Sequence, residues 1–168
     1  MSPLFTLLTG PKTWRFWGAV LAGLSVVVPA LPLGPLASQP PWPLAAFWAA
    51  YGWANRAEAG WRAPLALAAL GLVHDHLAHH PYGFFATLYP LAYLVSRVIG
   101  ITMSSAPLGG FVATCAAMVA IASITAPWVL GGAAPIMAFA LSCAVTAALY
   151  GLVRELYETD GRPVRRNS

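Results

Sequence analysis

Charge is what this sequence has least of. Nine Lys and Arg and five Asp and Glu make charged residues 8% of a 168-residue chain, where soluble domains carry roughly 25%. So few charges cannot cover a water-soluble globule of this length. With 59% hydrophobic residues, the composition points to an all-α integral membrane protein. Cysteine is nearly absent too. Cys115 and Cys143 each sit inside an apolar run and read as buried thiols acting as small hydrophobes. No phosphate-binding glycine loop and no serine in a nucleophile-elbow context occurs. Histidine is found four times, always within one seven-residue stretch, HDHLAHH, from His74 to His80.

The formal charge of +4 raises nucleic-acid binding, but the basic residues form no patch. They punctuate six hydrophobic segments, at about 16–33, 43–54, 64–78, 83–100, 108–130 and 133–153. The expected organisation is a six-helix transmembrane domain over 1–156 and a flexible tail over 157–168. Segments two and three are short against the roughly 20 residues of a full span, so both are expected to be tilted little, locally broken, or packed within the bundle rather than facing lipid along their length. With six spans, Lys12, Arg15, Arg56, Arg62, Arg97, Arg154, Arg162, Arg165 and Arg166 all fall on one side. The opposite connections, around 34–42, 79–82 and 131–132, carry none. The positive-inside rule then places both termini in the cytoplasm, with the C-terminal arginines near anionic headgroups. The first segment is read as a retained span, because "LFTLL" and the basic residues precede it in a pattern unlike a signal peptide.

Three chemistries are tested against the histidine stretch. His76, His79 and His80 fit an H-x-x-H-H box, but two irons need more nitrogen and oxygen ligands than four histidines supply. His76 and His80 share a face if the helix continues through them, yet a third and fourth metal ligand are missing. His74 and Asp75 project about 100° apart on a helix and do not form a dyad. The histidines are therefore read as decoration of the outer interface, beside Tyr82, Phe84 and Phe85. Asp75 lies about one turn inside the membrane, where an acid costs roughly 2.5–3.5 kcal/mol on insertion scales, so it must find donors. The candidates are Tyr82, Tyr89, the histidines or backbone N–H groups near Pro81 to Gly83. Arg97 is excluded, since it lies roughly 21 Å deeper along the fourth segment at 1.5 Å per residue.

The stretch "GLVHDHLAHHPYGFF" resembles the G-L-x-x-D-x-L-x-x-x-P-x-G signature of the bacterial rod shape-determining MreD family, through Gly71, Leu72, Asp75, Leu77, Pro81 and Gly83. Upstream, "PPWPLAAFWAAYGW" is similar to the family's Pro-rich entry to an aromatic second segment, through Pro41, Trp42, Pro43, Tyr51 and Trp53. Pro64 opens the third segment as in the family. The recognisable motif covers about residues 41–97, and the four histidines within that stretch are not among the positions of its pattern. The resemblance implies a six-helix bundle similar to the S-component of energy-coupling-factor transporters. It also implies a scaffold of the cell-wall elongation machinery in the bacterial inner membrane. Its implied partners are MreC and, directly or through MreC, a RodA-type glycosyltransferase, a class B penicillin-binding protein and the MreB system. The competing expectation is a small-molecule-binding subunit of the S-component kind.

No catalytic set is legible, so binding within the membrane, without enzymatic activity or a cofactor, is the expected role. Small residues recur four apart at Gly109, Ala113 and Ala117, and again at Ala134, Ala138, Ser142 and Thr146. Such ridges let helices approach closely, either within the bundle or against a partner's helix.

Overall fold

The computed structural model describes residues 11–30, 42–56, 60–79, 81–103, 106–130 and 136–158. Six α-helices follow one another and no strand occurs among the described residues: α1 Pro11–Val27, α2 Ala45–Ala54, α3 Arg62–Leu77, α4 Phe84–Thr102, α5 Pro107–Leu130 and α6 Ile136–Glu158. A 3-10 turn, Val28–Ala30, closes α1. The first segment thus starts and stops earlier than 16–33. Pro29 in that turn cannot continue the hydrogen-bond ladder, and Lys12 and Arg15 belong to the helix rather than preceding it. Pro107 stands at the first position of α5, where its missing N–H costs nothing.

Helix α2 is apolar all round and buries nine of its ten residues, as a helix at the centre of a bundle must. It touches all five other helices, chiefly α4, α6 and α1. Tyr51 sets its ring edge against both Phe111 of α5 and Tyr150 of α6, which stack on each other at 4.2 Å. The Tyr51 hydroxyl donates to the Pro107 carbonyl at 2.9 Å, so the start of α5 is tied to the central helix. Trp48 donates from its indole N–H to Thr146 O, and the Thr146 hydroxyl accepts from Leu44 N–H. Both bonds satisfy polar groups that lipid could not.

Helix α6 runs five residues past its expected end at 153, and packing explains the extension. Tyr157 is fully buried between Gly18 of α1 and Gly52 of α2, and its hydroxyl donates to Gly18 O at 2.9 Å. Burial pushes the phenol above its ordinary pKa, so it remains a donor. Arg56 donates from Nε and Nη2 to Tyr157 O at 3.1 and 2.6 Å, placing a cation at the negative end of α6. Tyr157→Phe is expected to lower stability by about 1 kcal/mol, the scale of an interhelical hydrogen bond in a membrane bundle. Reversible unfolding in detergent micelles measures it.

Helix α3 differs from α2 in its packing. It does not sink into the bundle: only Leu67, Gly71 and Asp75 are buried, one i, i+4 ridge directed at α4. Three helical stretches, Phe84–Thr102, Pro107–Val129 and Ile136–Arg154, are long and apolar enough to cross a membrane. Together with the composition, they make the chain a membrane protein.

Candidate functional site

The α3–α4 turn gathers the residues that the sequence singles out. The first four N–H groups of a helix lack intrahelical acceptors, and α4 begins after Gly83, which has no side chain to cap them. Asp75 supplies the cap from the preceding helix. Its Oδ2 accepts from Gly83 N–H at 2.9 Å and Ala86 N–H at 3.3 Å, while Oδ1 accepts from Phe85 N–H at 2.9 Å. The Phe84 N–H goes to Pro81 O, which completes the first turn. A carboxylate here also sits at the positive end of the α4 dipole.

Two backbone features bring the carboxylate into reach. Gly83 adopts φ +106°, a region that costs a glycine nothing and a larger residue strain. Gly71 lies flat on α4, where a Cβ would meet the Phe85 carbonyl oxygen and the Ala86 backbone. Asp75 itself is fully buried, so its donors are three backbone N–H groups, not Tyr82, Tyr89 or the histidines.

The histidines divide. His74 is half-buried, stacks on Phe85 at 3.9 Å and shares a 2.5 Å hydrogen bond between Nδ1 and the buried Tyr89 hydroxyl. It is a packing residue, which corrects its reading as interface decoration. The exposed His76 bonds through Nδ1 to the Tyr82 hydroxyl at 2.6 Å. His79 has φ 56° and occupies the left-handed position that glycine usually fills beyond a helix end. His79→Gly is therefore expected to stabilise the protein by about 0.5–1 kcal/mol, since a left-handed L-residue costs roughly 1–2 kcal/mol. A rise in the unfolding midpoint checks it.

The metal reading of His76 and His80 needs a helix through both. α3 ends at Leu77, and His80 lies outside the described residues. Among the described residues no group of three His, Cys, Asp or Glu side chains is placed to hold an ion.

The remaining candidates scatter. Leu72 is exposed on the side of α3 away from α4, Pro81 is exposed in the turn, and Trp53 is half-buried on α2. Pro41 lies outside the described residues. On α5, Gly109 is exposed and Ala113 and Ala117 are half-buried; on α6, Ala138 is exposed and Ser142 half-buried. Ala134 lies outside the described residues. The core-facing ridge of α5 is instead Gly110, Thr114, Met118, Ala122 and Ala126, one residue out of phase with the small-residue pattern. Cys115 and Cys143 are free and buried.

Arg56, Tyr157 and the His74–Tyr89 pair are structural contacts that sequence reasoning missed, and their partners lie 101, 139 and 15 residues away, beyond any local spacing rule. Compared with family models, with curated proteins and with solved structures, the chain has no match.

Proposed function

We propose that the chain is a membrane scaffold of the MreD type in the bacterial inner membrane. In this role it binds MreC and helps position or regulate the peptidoglycan-synthesis enzymes that maintain rod shape. The observation that supports the reading is the convergence of Gly71, Asp75 and Gly83 on one turn. These residues of the resembling motif make a single physical device, which gives their spacing a reason.

The proposed topology has six crossings and both termini in the cytoplasm. Support comes from one end of the bundle, where Arg56 meets Tyr157 and Asn55 lies against Gly100. Arg62, Arg97 and Arg154 fall at or within about a turn of that end, while Asp75 and its turn lie at the other. The proposed scaffold role asks for no chemistry of the chain's own, and it uses Asp75, His74 and His76 as packing or capping residues.

Affinity purification of the tagged chain from native membranes tests the proposal. Recovery of MreC, with a RodA-type glycosyltransferase and a class B penicillin-binding protein, is the expected result. Recovery of transporter ATPases in their place would install the alternative, a small-molecule-binding subunit of the S-component kind.

A further inference from the structure

Helix α3 has two clean faces. Leu67, Gly71 and Asp75 are buried against α4, while Arg62, Leu65, Ala66, Ala69, Leu72, Val73 and His76 lie on the opposite side and are exposed. Between Arg62 and His76 that outer face carries no polar group, and α3 packs chiefly on α4. An apolar strip of this kind needs a cover.

The ends of the strip indicate which one. Trp61 is 70% exposed with the Arg62 guanidinium 6.0 Å from its ring centroid, and Tyr82 is 71% exposed with His76 stacked and hydrogen-bonded to it. An amphipathic ring with a basic neighbour at each end of an apolar stretch is the pattern of a membrane–water interface on both sides. These anchors also fix a length. The sixteen residues of α3 rise about 24 Å, against a hydrocarbon core of about 30 Å. Helices α5 and α6, with 24 and 23 residues, rise about 36 and 34 Å.

We infer that α3 is a lipid-facing span too short for an ordinary bilayer, and that its outer face binds the acyl chains of phospholipids in a locally thinned annulus. The protein is then asymmetric in the membrane: full thickness along α5 and α6, thin along α3. A short span is accommodated by thinning the bilayer, at a cost that grows with each ångström of mismatch, so short-chain lipids collect at this edge. The inference rests on the membrane character of the chain and not on its scaffold role. Failure to recover MreC would leave it intact.

Two measurements test it. Spin labels are placed at Leu65→Cys, Ala69→Cys and Leu72→Cys in a Cys115→Ala, Cys143→Ala background, in dioleoylphosphatidylcholine vesicles. The expected profile has oxygen accessibility highest at position 69 and a water-soluble nickel chelate excluded from all three positions. Low accessibility to both reagents would mean that a protein covers the face. Nickel access at all three would mean that water does. Either result overturns the inference. The second measurement needs no label and follows thermal unfolding of the unmodified chain in vesicles. The midpoint is expected to fall from dioleoyl to dierucoyl phosphatidylcholine, a thicker bilayer that α5 and α6 can match and α3 cannot, and equal midpoints in the two would refute the mismatch.

Discussion

Replacing Asp75 with alanine is expected to destabilise the protein by about 3–5 kcal/mol, since an unsatisfied buried donor costs roughly 1–3 kcal/mol and three donors lose their acceptor together. Helix propensity, which favours Ala over Asp by no more than about 0.7 kcal/mol, is too small to offset this. Asn separates charge from geometry. Oδ2 accepts two N–H bonds and Oδ1 one, so an amide keeps its oxygen on the Gly83 and Ala86 side and turns its NH2 toward Phe85 N–H. One bond is lost and a donor faces a donor, so Asp75→Asn should cost about 2 kcal/mol. The order wild type, Asn, Ala in unfolding free energy is the expected outcome. Hydrogen exchange should accelerate at residues 83–86 in both variants, since an uncapped first turn frays. An alanine variant as stable as wild type would mean that water or another side chain satisfies these N–H groups.

Asp75 also shows how far the sequence alone reaches. That a lone acid near the end of an apolar run must be paired follows from the cost of charge at membrane depth. Which donors pair with it does not follow, because the answer depends on where α4 begins. Gly83 leaves that helix without a cap of its own, and the acid eight residues upstream is the acceptor within reach. Tyr89 and Tyr82 are then occupied by His74 and His76, so the histidines acquire roles that ligand counting could not assign.

The helix limits teach a related lesson. Apolar windows follow the composition of a span, whereas α6 extends to Glu158 because Tyr157 fits between two glycines on other helices. The phase of α5 was hidden for the opposite reason: a helix apolar on every side offers no contrast from which to choose a face. Segments two and three are both short, yet one is the core and the other an edge. Length alone does not separate them. What differs is the outer strip of α3, with its aromatic and basic ends.

The second large effect is expected at Gly71, where two opposing terms can be weighed. Alanine in a helix interior is favoured over glycine by about 1 kcal/mol, so Gly71→Ala would stabilise α3 in isolation. The new methyl, however, lands on the Phe85 carbonyl oxygen and the Ala86 N and Cα. These are backbone atoms and cannot rotate aside. Relief requires α3 and α4 to part, and the N–H groups of the same two residues bond Asp75. Overpacking costs typically 1–3 kcal/mol, and the strained Asp75 bonds add to it, so a net loss of about 2–4 kcal/mol is expected. Gly23→Ala in α1 is the control, because nothing lies within 4 Å of its added Cβ; it should be neutral or stabilising by up to about 1 kcal/mol. The double variant Gly71→Ala, Asp75→Ala should lose less than the sum of the single losses, because both disturb one contact. Strict additivity would show that the glycine and the aspartate act independently, and the single-device reading of the turn would have to be abandoned.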